Sequence, residues 1–201
     1  MNLDASRRTS RRSTLARSVR ELPAACATSI AAPCGRYGMA EGARESTIRQ
    51  ARIDEAALLS EITWRALAYW GYDAAFMAWA REGVRVQPEY LDPGPAFVLD
   101  EAAGVAGFYI LRHEAPEIDL HYLMVEPHLI GTGRGKRLWL HAVATARERG
   151  ARVLTVTSDP YAEGFYRAMG AVTVGQTGEP PPHMPNWRLR LMRFAMPASG
   201  A

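Results

Sequence analysis

Three glycines on alternate positions, Gly131, Gly133 and Gly135, stand between an apolar run that closes with Val125-Glu126-Pro127 and an amphipathic stretch that opens with Lys136-Arg137-Leu138. Glycine lets the main chain approach a ligand closely, and a helix start offers unpaired N–H groups and partial positive charge. With Arg134, Lys136 (the only lysine in the chain) and Arg137 alongside, this is the equipment of a phosphate site. Two familiar phosphate loops do not fit. A dinucleotide loop needs a glycine where Lys136 stands, and a P-loop needs a glycine at Ile130 and Ser or Thr at Arg137. The plain alternative is a strand-to-helix turn with no ligand, although three glycines in five residues weaken a helix start unless something approaches them.

Downstream, Ala162-Glu163-Gly164-Phe165-Tyr166-Arg167-Ala168-Met169-Gly170 forms an A-x-x-F-Y-x-x-x-G segment. The two segments, in this order, resemble the GNAT superfamily of N-acetyltransferases. Its cofactor motif is [QR]-x-x-G-x-[GA] after a strand ending in V-x-P. Gly133 and Gly135 occupy the two small positions, and Ile130 stands where the family carries Gln or Arg. The resemblance covers about residues 46–194. It implies acetyl-CoA as co-substrate, with no metal, and direct attack by a primary amine in a ternary complex. It further implies that the amides of Gly131 through Lys136, including Gly133, Arg134 and Gly135, hold the pyrophosphate. The main chain of Leu123 and Val125 would pair with the pantetheine arm, and an amide near Met124 or Val125 would polarise the thioester carbonyl. Tyr166 matches the tyrosine that donates a proton to the leaving thiolate. Read as a residue alone, without the glycine loop, it is better explained as an aromatic packed on a helix's buried face beside Phe165.

The base stays open between two residues. Asp119 lies six positions before Val125, where histone-type members of the family carry a glutamate. His121 shares its side of the strand by two-residue alternation and has the better intrinsic pKa. Either is also compatible with an ordinary polar residue at a strand end. Trp64, Tyr69, Trp70 and Tyr72 form the most aromatic stretch and could wall an acceptor pocket; for Trp64 and Tyr69 helix packing explains the spacing as well. His113, His128, His141 and His183 show no metal-ligand spacing.

The elements that must position these residues follow from periodicity. Thr47–Arg52 reads as a strand. Asp54 caps a helix with Leu58, Ile62, Ala66 and Tyr69 on one side, ended by Gly71, and Asp73 caps a shorter helix carrying Phe76, Met77 and Ala80. Ala96–Asp100, Val105–Leu111 and Asp119–Val125 are strands. Gly133–Arg149 is a helix burying Leu138, Trp139, Ala142, Val143 and Ala146, with Gly150 beyond its end. Arg152–Thr157 is a strand, and Asp159-Pro160 starts a helix that buries Ala162, Phe165, Tyr166 and Met169. Ala171–Val174 and Trp187–Phe194 complete the sheet. This order predicts an α/β (α+β) sandwich on a mixed sheet. The resemblance sharpens it to a mostly antiparallel sheet of six to seven strands with about four helices.

At 201 residues, 48% apolar, the chain suits one domain, and no run of about 18 uncharged apolar residues predicts a membrane span. Of 24 basic and 21 acidic residues, residues 1–45 hold eight and four, leaving 16 against 17 for the remainder. The basic excess belongs to the first 45 residues, which predicts no nucleic-acid footprint on the domain at 46–196. Residues 1–45 lack periodicity and read as a disordered basic tail, with Met39 as an alternative start. The paired arginines at Arg11-Arg12 suit an export signal, but Arg17, Arg20, Glu21 and Pro23 interrupt the apolar stretch it needs. Cys26 and Cys34 have no partners at a zinc-site spacing, so a reducing cytoplasm is expected. The expected partner is a small-molecule or peptide amine, with neither nucleic acid nor membrane, and a homodimer is left open. A non-catalytic CoA-binding or regulatory domain of the same fold remains the alternative function, and a nucleotide-phosphate binder a third.

Overall fold

Among the described residues, strand alternation, helix stripes and glycine stops translate into seven strands and four α-helices in the expected order. The computed structural model describes residues 46–177, 180 and 184–196, so the expectations for the tail, Cys26, Cys34 and His183 lie outside the described residues. The elements are β1 (Thr47–Gln50), α1 (Ala56–Ala68), α2 (Ala74–Gly83), β2 (Ala96–Glu101), β3 (Gly104–Arg112), β4 (Glu117–Val125), α3 (Arg134–Glu148), β5 (Val153–Ser158), α4 (Glu163–Ala168), β6 (Val172–Gln176) and β7 (Arg190–Ala195).

One sheet contains all seven strands, in the order β1-β2-β3-β4-β5-β7-β6. Every pairing is antiparallel except β4 with β5, the pair that α3 connects. A parallel pair needs such a crossover, and a helix lying on the sheet provides it. The face under α1 is filled by Leu59, Ile62, Val98, Phe108, Ile110 and Tyr122. The opposite face is filled by Tyr109, Leu120, Leu138, Trp139, Leu154 and Tyr166. The five-residue stripe expected of α3 is buried without exception. Gly107 lets α3 lie close: a side chain there would meet the Met124 carbonyl oxygen at 2.6 Å and Leu138 Cδ1 at 3.1 Å.

Two helices depart from expectation. Asp54 caps nothing; Ile53–Glu55 is a 3-10 turn, and the Glu55 carboxylate accepts from the Arg52 N–H at 2.8 Å. The helix proper begins at Ala56, so its inward stripe is Leu59, Ile62, Thr63 and Ala66, leaving Leu58 and Tyr69 exposed at 42% and 52%. Asp73 caps α2 as expected, accepting from the Phe76 N–H at 2.8 Å. After Asp159, Pro160–Ala162 is again a 3-10 turn, and α4 follows with Tyr166 as its one buried residue. Ala162, Phe165 and Met169 are only half-buried because they wall a cleft.

Candidate active site

Pairing of β4 with β5 stops at Asp119 and Thr155. Both strands run on, β4 to Val125 and β5 to Ser158, but apart. A cleft of about 390 Å³ occupies the gap. β4 also carries an extra residue, because Tyr122 faces Ile110 while Leu120 faces Leu111, which leaves His121 without a counterpart. Such a bulge shifts the alternation by one. Ile118 and Leu120 pack on the α3 side, Tyr122 and Met124 on the α1 side, and Leu123 and Val125 return to the α3 side.

The free edge of β4 has a definite polarity. Glu126 N–H donates to the Ala106 carbonyl at 2.9 Å. Counting back in twos, Met124 also faces β3, so the N–H and C=O groups of Leu123 and Val125 point to the edge that β5 has left. Both residues line the cleft.

The glycine loop closes one end. Gly131 and Gly133 have φ of 82° and 89°, a region that side-chain-bearing residues rarely adopt. In α3 the first main-chain rung runs from Arg137 N–H to Gly133 O at 3.0 Å, so the amides of Arg134, Gly135 and Lys136 have no acceptor within the helix. Gly131, Gly133, Gly135 and Lys136 all line the cleft, and the exposed Lys136 forms no ion pair among the described residues. The Arg134 side chain is not brought to the site. Its guanidinium grips Glu101 at the end of β2, the shortest contact being 2.9 Å, and also reaches Thr132. Only its main chain is available at the loop.

Tyr166 lines the far wall, 6% exposed, with Trp139 and Phe165 edge-on to its ring. Its hydroxyl has no hydrogen-bond partner among the described residues. No buried side-chain oxygen or nitrogen there is left unpartnered, so this hydroxyl must open to the cleft. Burial, reinforced by the charges of Asp119 and Asp159, pushes its pKa up and keeps it protonated at neutral pH.

The two candidate bases lie together but not equivalently. His121 Nδ1 is 3.4 Å from Asp119 Oδ2, and His121 lines the cleft with Tyr90 edge-on to its ring. Asp119 sits behind it, accepting from Thr155 Oγ1 at 3.2 Å. Of the four aromatics, Trp70 lines the cleft and stacks on Tyr161, with centroids 5.4 Å apart and planes at 8°. The Tyr72 hydroxyl donates to Asp159 Oδ2 at 2.7 Å and accepts from Trp187 Nε1 at 2.8 Å. Trp64 is structural, its Nε1 donating to the Val84 carbonyl at 2.7 Å, and Tyr69 stands outside against Trp70. Sequence reasoning passed over Asp159, Tyr161 and Trp187. The Asp-Pro pair reads locally as a helix start, and nothing local announces that Trp187 meets Tyr72. No group of three or more His, Cys, Asp or Glu among the described residues is placed to hold a metal, and none of the helices described is long and apolar enough to cross a membrane.

The model of the acetyltransferase (GNAT) family matches residues 62–171, more than half of the chain, and the protein belongs to that family. It is 30% identical over 82 residues to the 5-NmdU N-acetyltransferase of Pseudomonas phage PaMx11, in an alignment covering 40% of this chain and 59% of the phage protein. The chain therefore spans about three fifths of the curated relative it matches. Among solved structures, a GCN5-related N-acetyltransferase from Rhodopseudomonas palustris superposes with a TM-score of 0.64 at 19% identity, covering 79% of this chain and 100% of its own. PaiA N-acetyltransferase from Thermoplasma acidophilum, solved in complex with coenzyme A, gives 0.57 at 17% identity, with 76% and 99% covered. These two share the fold. Family membership supports acyl transfer as the general activity.

Proposed function

We propose that this protein moves an acetyl group from acetyl-CoA to a primary amine by direct attack in a ternary complex, within a domain spanning residues 46–196. The observation that carries the reading is the gap between β4 and β5, which joins an unpaired strand edge to a helix start and a free hydroxyl. The residues fit the cofactor. The amides of Gly131, Gly133, Arg134, Gly135 and Lys136 and the Lys136 ammonium take the diphosphate, and the edge groups of Leu123 and Val125 pair with the pantetheine amides. Tyr166 holds its proton on a hydroxyl of the cleft wall that has no hydrogen-bond partner among the described residues, on a side chain that is otherwise buried.

In the reaction the amine nitrogen bonds to the thioester carbonyl carbon and the carbon–sulfur bond breaks. Tyr166 gives its proton to the departing sulfur. His121, with Asp119 behind it, takes the proton that the amine loses, so charge balances across the cleft. The mostly apolar walls keep bulk water from competing with the amine.

Acetyl-CoA mixed with a panel of primary amines, with free thiol as the readout, tests the reading. Amine-dependent thiol release is expected. Tight CoA binding with no release for any amine would point to a non-catalytic CoA-binding domain, and no CoA binding would overturn the reading altogether.

A further inference from the structure

Asp159 follows the last residue of β5 and lines the cleft. Its Oδ1 accepts from the Tyr161 N–H at 2.9 Å, and its Oδ2 accepts from the Tyr72 hydroxyl at 2.7 Å. Both donors are neutral, and no Lys, Arg or His pairs with this carboxylate among the described residues. The titratable groups that face it are Tyr72, Tyr161 and Tyr166; the charge of Asp119 reaches the same Tyr166 hydroxyl.

Capping the 3-10 turn explains one oxygen only. Asn or Ser would cap as well, and a cap needs no tyrosine delivered from 87 residues away. The second oxygen belongs to a different construction. Tyr72 is itself fixed by Trp187 Nε1, and both rings stand edge-on to one another with centroids 6.3 Å apart. Trp70 and Tyr161 extend this wall as a stacked pair. A carboxylate partly removed from water and held by neutral donors keeps an uncompensated charge, and aromatic faces attract cations as well. Burial pushes the Asp159 carboxyl up while its two hydrogen bonds pull it down. The combination suits a cation that arrives with the substrate.

We propose that Asp159, held by Tyr72, receives the ammonium group of the acceptor, and that the acceptor is a primary amine carried on a flat or apolar body that lies against Trp70 and Tyr161. This rests on reading the cleft as an acyl-transfer site. Asp159 draws in and orients the charged amine; one proton leaves to solvent to give the neutral nucleophile, and the second, lost as the amide forms, goes to His121.

The test compares phenethylamine, charged at neutral pH, with 2-phenylethanol, its neutral counterpart, by tryptophan fluorescence of the full-length protein; Trp70 and Trp187 report from the wall. The wild type is expected to bind the ammonium at least about tenfold more tightly than the alcohol. In Asp159→Asn, which keeps an oxygen for the Tyr161 N–H and turns an NH2 towards the Tyr72 hydroxyl, the two affinities should agree within about twofold. Equal wild-type affinities, binding of neither ligand, or a preference that survives in Asp159→Asn would overturn the proposal. Calorimetry with CoA on the same wild-type sample separates the two claims. An ammonium preference without CoA binding sinks the acyl-transfer reading alone, and CoA binding without the preference sinks this inference alone.

Discussion

Asp119 and Thr155 are the last residues through which β4 and β5 face one another, and Thr155 Oγ1 donates to the Asp119 carboxylate at that point. The cofactor edge, the glycine loop and Tyr166 lie past them, where β4 and β5 part while β3 and β7 still pair their outer edges. The sheet supplies rigid walls on both sides of the gap, and the loop before α3 closes one end with main-chain amides.

Gly133 makes the first prediction. Nothing in the protein lies within 4 Å of a side chain added there, yet its φ is 89°. Gly133→Asp should therefore cost about 1–2 kcal/mol of stability from backbone strain. It should cost at least about a hundredfold in CoA affinity, because a negative charge enters the amide nest. A thermal melt and calorimetry with CoA measure the two effects; unchanged affinity would remove the loop from the cofactor site.

Lys136 and Arg134 are neighbours with different prospects. Lys136→Ala should weaken CoA binding roughly tenfold at low salt, less as salt rises, since an unpaired cation at the cleft is lost. Arg134→Ala should weaken it less than about threefold, because that guanidinium already serves Glu101. Equal losses would mean that Arg134 leaves Glu101 when the cofactor binds.

Tyr166→Phe removes a hydroxyl with no partner among the described residues, so stability should change by less than about 1 kcal/mol. Turnover should fall about a hundredfold with CoA affinity unaltered. An undiminished rate would return Tyr166 to the role of a packing residue.

Glu55 gives a pH test of the scaffold. The hydrogen bonds from Arg49, offset by burial and helped by the Arg52 N–H, hold its carboxyl below the usual glutamate value of 4.5. A depressed folded value means the unfolded chain binds the proton first as pH falls. The stabilisation is thus complete above about pH 5 and disappears as pH drops through the folded value. Glu55→Gln should cost about 1–3 kcal/mol at neutral pH and flatten the fall in Tm between about pH 5 and pH 3. An equally steep acid transition would place the acid-sensitive carboxylates elsewhere.

Much of this was legible in the residues. The stripe of α3, the positive-φ glycines and the Asp73 cap are local signals, and local signals survive folding. The clustering of Leu123, Val125, Gly133 and Tyr166 on one cleft followed from two motifs and their spacing. What stayed hidden depends on distant partners. Arg134 looked like a free cation because Glu101, 33 positions earlier, is invisible to a local reading. Leu58 looked buried because the 3-10 turn at Ile53–Glu55 delays the helix and rotates its stripe. Asp159 looked like a cap because its second bond comes from Tyr72. The bulge at His121 has no local signature at all.

The last strand in sequence, β7, is inserted between β5 and β6 rather than added at a margin. During synthesis β6 therefore has no strand to pair with, and β5 has an open flank, until Arg190–Ala195 has left the ribosome. Trp187, just ahead of β7, arrives at the same moment and fixes Tyr72. A nascent chain that stops short of Trp187 thus lacks both the middle of its second half-sheet and the brace behind the aromatic wall, so neither can form until residues 187–195 have emerged.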